Sequence, residues 1–218
     1  MAEEALRAKA DYLSRLSHEL YTPMNAIVNM AHIAAATEDM VKIKSCIASI
    51  SDSGSRLLGM IDDIMDMSRI ELGQISLVNL PFELERALIK AFDTVRQNAD
   101  EKKLVLSYNI AKGVPTKLRG DELRFSQVIT NLLKSVIRFT PDMGEIKLNI
   151  KTAGNVSGKA DFQFRIESNG AERRSGETGL EMTISKALIE MMGGSIWTEE
   201  IKGGGSAVNF AVPLDIFG

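Results

Sequence analysis

Between positions 43 and 64, apolar or small residues return at alternating steps of four and three: Ile43, Ile47, Ile50, Gly54, Leu57, Ile61 and Ile64. Charged and polar residues fill the gaps. Only a helix puts such a series on one side, and the alternation is that of a coiled-coil seam. The residues upstream repeat the theme. Leu6, Leu13, Leu16, Leu20, Met24, Ile27, Ala31 and Ala34 follow mostly three- and four-residue steps. The polar break Thr37-Glu38-Asp39 separates the two runs and can cap the second, and Gly73 ends it. Two long helices on a short turn make a hairpin, which cannot bury both seams by itself. Pairing two copies into a four-helix bundle solves that problem, so a homodimer is expected.

After Gln74–Pro81 the pattern changes. Helical runs are expected at 82–102, 121–139 and 179–192. Strands are expected at Leu104–Ile110, Glu145–Thr152, Phe162–Glu167, Ser195–Ile201 and Ala207–Pro213. In one of them Ile146, Leu148 and Ile150 alternate with Lys147, Asn149 and Lys151, which predicts one wet face. Gly203-Gly204-Gly205 reads as the turn of a terminal hairpin, and Trp197 as a packing residue of its strand. Mixed elements without strict βαβ order predict an α+β sandwich with helices on one face. The chain thus divides into a helical hairpin, 1–73, and a sandwich domain, 74–218.

Composition narrows the functions. The 218 residues are 44% hydrophobic and 25% charged, enough for one large or two small globular domains. A net charge of −3 gives no basic excess to hold nucleic acid. One cysteine, Cys46, excludes a disulfide framework, and with only His18 and His32 no metal site is expected. Cys46 should be buried near the seam of the second helix. No apolar run is long enough to enter a membrane, and the start lacks an apolar signal core, so a cytoplasmic setting is the default.

The chemistry gathers at Ser-His-Glu-Leu-Tyr-Thr-Pro, residues 17–23. His18 falls off the seam set by Leu13 and Leu20, which predicts an exposed imidazole near the middle of the first helix. Such a ring titrates near neutral pH and can act as a nucleophile. Glu19 supplies a carboxylate to orient it and accept a proton. Pro23 should kink the helix just past His18. A zinc-protease His-Glu-x-x-His reading fails because position 22 is Thr.

LSHELYTPMNAI resembles the phosphoacceptor box of two-component sensor histidine kinases. DELRFSQVITNLLKSVIRFT, GLEMTISKALIEMMGGSI and GGGSAVNFAVPL follow the order of that family's ATP-binding domain. The resemblance covers nearly all of the chain. It implies a Bergerat-type ATPase sandwich behind the dimeric bundle. It implies that His18 is the phosphorylated residue, Glu19 its acid/base partner, and Thr22 an aid to water attack in the phosphatase reaction. Tyr21 replaces the usual Arg.

The same resemblance exposes departures at the nucleotide site. Asn131 matches the first Asn of the N box, and Arg138 keeps its basic residue. Ser135 stands where the family's Mg²⁺-binding Asn would be, a weak exchange for an ion that demands near-ideal octahedral geometry. In the G1 box Ser168 replaces the Asp that accepts from the adenine amino group and Glu172 replaces the second Gly; Gly170 is kept, and Asn169 offers a neutral substitute. Hydrogen bonds to charged groups contribute ~1.5–3 kcal/mol, so this exchange should cost about tenfold or more in affinity. In the G2 box Gly179 is kept and Glu181 replaces a Gly at a helix start suited to phosphate. The segment between Gly170 and Gly179 is too short for the family's ATP lid.

Together these residues predict a vestigial ATP site, with no cofactor expected, or ATP and Mg²⁺ only if the site still functions. The expected function is phosphotransfer at His18 with response-regulator receivers. An autophosphorylating kinase and a non-catalytic module that binds a receiver or a partner histidine kinase are the alternatives.

Overall fold

A computed structural model describes residues 2–156, 158–169, 179–201 and 204–217; the side chains of 2–16, 18, 19 and 154–156 lie outside that description. Two compact units result, Met1–Ser68 and Arg69–Gly218.

The first unit holds α1 (Ala2–Ala35) and most of α2 (Met40–Glu71). Asp39 caps α2 as its position predicts. Its Oδ1 accepts from the backbone N–H of Val41 at 2.9 Å and of Lys42 at 3.4 Å, satisfying two donors that a helix start leaves free. Pro23 is buried, and the helix continues across it.

Each helix carries two apolar stripes rather than one. Leu20, Pro23, Ile27, Met30 and Ala34 are shielded on α1, as are Ile43, Cys46, Ile50, Leu57, Met60, Ile64 and Met67 on α2. Tyr21, Met24 and Val28 form an open stripe on α1, and Ile47, Leu58, Ile61 and Met65 on α2. The expected seam of α2 therefore splits: Ile47 is 56% exposed and Ile61 45%.

The second unit opens with β1 (Leu80–Glu83), α3 (Leu84–Glu101), β2 (Val105–Ile110) and β3 (Lys117–Gly120). It continues with α4 (Glu122–Phe139), β4 (Glu145–Val156), β5 (Lys159–Ser168), α5 (Leu180–Met191), β6 (Ser195–Glu200) and β7 (Ser206–Ile216). The strands form one sheet in the order β1-β3-β7-β5-β4-β2, with β6 also paired to β7. All pairings are antiparallel except β2 with β4. The β6–β7 hairpin forms as expected; Gly203 of its turn lies outside the described residues.

The short strands β1 and β3 escape a periodicity argument, since four residues hold only two alternations. They make the helix at 82 start later, because Phe82 and Glu83 pair with Leu118 and Lys117 instead. Pro81 is tolerated because β1 is an edge strand.

The core is a row of phenylalanines between sheet and helices. Phe82 and Phe125 rings lie 5.6 Å apart, Phe125 and Phe164 5.4 Å, and Phe164 stacks on Phe210 at 4.5 Å. Because α4 supplies Phe125, it covers the sheet face of Phe164. Residues one position along β5 and β7 face away from the helices.

Candidate functional site

α1 carries the histidine motif. The backbone of His18 and Glu19 is helical; their side chains lie outside the described residues. Residues 18 and 22 are one turn apart on one face. Tyr21 and Thr22 are exposed.

The second site is built on α4, whose apolar side (Phe125, Ile129, Leu132, Val136) is buried. Asp121 caps it, accepting from the Arg124 N–H at 3.0 Å. Asn131 and Ser135, one turn apart, are both buried, and Asn131 Nδ2 has no partner among the described residues. Arg138 follows in the last turn.

At the C-terminus of α4 the chain is tied down twice. Lys102 Nζ donates to the carbonyls of Ile137 at 3.0 Å, Arg138 at 3.2 Å and Thr140 at 2.5 Å, placing a cation where the helix dipole is negative. Thr140 Oγ1 meets the Val136 carbonyl at 2.7 Å and Ser168 Oγ at 2.9 Å. Both hydroxyl residues are essentially fully buried. Ser168 thus spends its hydroxyl on its own chain. Asn169 is committed as well: its Oδ1 accepts from the Glu145 N–H at 2.7 Å. Gly205 permits this end of β5 to close, since a Cβ there, at φ +112°, would stand 2.3 Å from the Ser168 carbonyl oxygen. Gly170, Glu172 and the short segment that stands in place of a lid lie outside the described residues.

Gly179 caps α5 in an extended conformation and contributes no side-chain cap. Glu181, in the first turn, forms an ion pair with Arg138. The pair lies against Gly179, where a Cβ would be 2.8 Å from Glu181 Oε2 and 3.4 Å from an Arg138 guanidinium nitrogen. Arg138 also rests 5.8 Å from the centre of the Phe139 ring. Asn131, Ser135, Arg138, Ser168, Gly179 and Glu181 are all placed by α4, α5 and the end of β5.

A polar cluster on the helix-free sheet face had no signal in the motif reading. Asn149, Arg165, Asn209 and Trp197 stand side by side across β4, β5, β7 and β6. Arg165 donates to Glu167 at 2.6 Å and to Asn209 at 3.1 Å, and also pairs with Glu199. These bonds raise the Arg165 pKa, with Glu167 the main cause, and lower that of Glu199, with Arg165 the main cause. Trp197, expected to be packed, is 41% exposed and donates to Glu199 at 2.9 Å. Its side of the strand meets solvent rather than core, which a six-residue strand does not reveal. Alternation along β5 was the one available clue.

Comparison with known proteins agrees with this construction. Residues 8–73 match the His Kinase A (phospho-acceptor) domain, and residues 120–216 the Histidine kinase-, DNA gyrase B-, and HSP90-like ATPase family. A helical phosphoacceptor region followed by an ATPase-type sheet domain defines the catalytic core of a sensor histidine kinase. The chain belongs to the histidine kinase family, whose members act in two-component signal transduction. It is 34% identical to the sensor histidine kinase GacS of Pseudomonas protegens over 94% of this chain and 24% of that one. It is 30% identical to the histidine-protein kinase BarA of Escherichia coli over 99% of this chain and 26% of that one. The chain therefore spans about a quarter of the length of these curated relatives. Among solved structures, the histidine kinase AdeS of Acinetobacter baumannii has a TM-score of 0.68 at 22% identity, covering 89% of this chain and 96% of that one. Histidine kinase ThkA, in complex with response regulator protein TrrA, has a TM-score of 0.71 at 20% identity, covering 97% and 63%. No described helix is long and apolar enough to cross a membrane.

Proposed function

We propose that this chain is a histidine phosphotransferase of the two-component type, with little or no ATP binding. Residues 1–73 form the dimerisation and phosphotransfer hairpin, and residues 74–218 the ATP-binding-like domain. His18 takes a phosphoryl group from the aspartyl phosphate of a receiver domain, or from a partner histidine kinase, and passes it to a second receiver. In the receiver step the P–O bond to aspartate breaks as a P–N bond to the ring forms; Glu19 accepts the ring proton, and Thr22 helps place water when phosphate is lost instead. Such transfer rests on positioning and electrostatics, which a bundle with one well-placed ring can supply. The open stripes of α1 and α2 support a homodimer that buries them. The setting is cytoplasmic, where receivers are found.

The observation that carries the reading is the state of the second site. Two positions that would face a nucleotide are engaged within the chain instead: Ser168 with Thr140, and Arg138 with Glu181. Ser135 replaces a metal-binding amide and lies buried. These residues fit ATP and Mg²⁺ poorly, so no step is routed through them.

One observation favours a second reading, an autophosphorylating kinase. Asn131 keeps a buried amide nitrogen with no partner among the described residues, a donor that a ligand could satisfy. Labelling separates the two. With γ-labelled ATP and Mg²⁺ the chain should remain unlabelled, while a labelled phospho-receiver should transfer to it and fail to transfer to H18Q. ATP-derived label on His18 would establish the second reading. A receiver that neither transfers nor loses phosphate faster would leave a non-catalytic binding module.

A further inference from the structure

We infer that Glu181 is a built-in anion, an autoinhibitory carboxylate that fills the phosphate position of the ATPase-type domain and ties up the arginine that would otherwise meet a phosphate. The inference rests on the reading that this site is closed to nucleotide, and it names the side chain responsible.

A helix start presents unsatisfied N–H groups and the positive end of the helix dipole, so it attracts anions. α5 starts at Leu180 behind a glycine that offers no side-chain cap. Its own first turn carries Glu181. The carboxylate does not extend into solvent. It lies over Gly179 and pairs with Arg138 from the last turn of α4, which is 43 residues away in the chain. The Arg138 side chain is 45% exposed and the Glu181 side chain only 20%, so the acid is the more enclosed member. One carboxylate therefore pairs with the guanidinium and sets a negative charge beside the start of α5. An incoming phosphate has to displace it and also approach its charge. Among the departures that lie in the described residues, Ser135 and Ser168 are neutral, and Glu181 adds an opposing charge.

Removing it has a specific consequence. E181Q keeps the size of the side chain and loses the charge; E181G removes the side chain. Both free Arg138. Calorimetric titration of the full chain with ADP, inorganic pyrophosphate and adenosine reads the effect. In both variants ADP and pyrophosphate should bind at least tenfold tighter than in the wild-type chain, or give heat where the wild type gives none. Adenosine, which has no phosphate, should not gain. Adding R138Q to E181Q should lower ADP affinity again by fivefold or more. Unchanged ADP and pyrophosphate binding in both variants, with an unaltered thermal melt showing that they fold, overturns the inference. An equal gain for adenosine also overturns it, since the acid would then be only a steric plug. These results are differences between variant and wild type. The phosphotransferase reading is tested on the wild-type chain alone, so the two failures are distinguishable.

Discussion

The two units bury their apolar residues in opposite ways. Among the described residues of the helical unit only Pro23 and Cys46 are fully buried, while Leu58 and Ile61 remain open. In the sheet unit Phe125, Phe162, Phe164 and Phe210 are almost completely enclosed. The difference is one of layers. Helices laid on a sheet make a closed two-layer core within one chain. Two helices alone offer each stripe one neighbour and leave the other stripe uncovered. The sheet unit therefore closes its core within one chain, whereas the helical unit leaves an apolar stripe open, the stripe that the proposed homodimer would bury.

The largest expected effect lies on the helical unit. H18Q should cut receiver-dependent phosphotransfer by roughly a thousandfold or more, equivalent to about 4 kcal/mol of barrier. The melt of the sheet unit should not change. Transfer that survives in a labelling assay would mean that another residue carries phosphate. Next comes F164A, which should cost the sheet unit about 3–5 kcal/mol through lost burial and the cavity left behind. A calorimetric melt that moves only slightly would show that the stacked rings are not its core.

A charge on the open stripe sharpens the contrast from the other side. L58E combined with I61E should weaken dimerisation by about 3 kcal/mol, roughly a hundredfold in dissociation constant, read by sedimentation equilibrium. The sheet unit should melt as before. An unchanged dimer, or a wild-type chain that is already monomeric, would remove the argument for pairing. Smaller still is T140V, which deprives Ser168 of its partner and Val136 of a donor. It should cost about 1–2 kcal/mol in a denaturant titration.

The smallest effect concerns the helix-free face. Arg165 holds the Glu199 pKa below its ordinary value. The stabilisation is then fully present above the unfolded pKa and fades as pH falls through the lower folded one. Trp197 is the only tryptophan and bonds to Glu199, so its emission should report that protonation. The midpoint should lie below the usual glutamate range, and R165M should raise it. A midpoint that ignores R165M would show that the pair does not form in solution.

Much of this was legible from residue order. Asp39 as a cap, the alternation of Ile146, Leu148 and Ile150, and the β6–β7 hairpin depend on neighbours a few positions apart. Other features were hidden. β1 and β3 are too short to carry a period, and each exists because the other pairs with it. Trp197 looks like core until the sheet shows which face lacks helices. Asn169 looks like a spare ligand until Glu145 takes its oxygen.

Local order alone therefore determined the helices, most strands and the histidine motif, because caps and periodicity act over one or two turns. Only the tertiary structure decided that Glu181 faces Arg138, that Ser168 meets Thr140, and that each long helix carries a covered and an open stripe. Those outcomes depend on groups tens of residues apart, whose meeting is set by how α4, α5 and the sheet close on one another. Spacing along the chain holds no record of such distances.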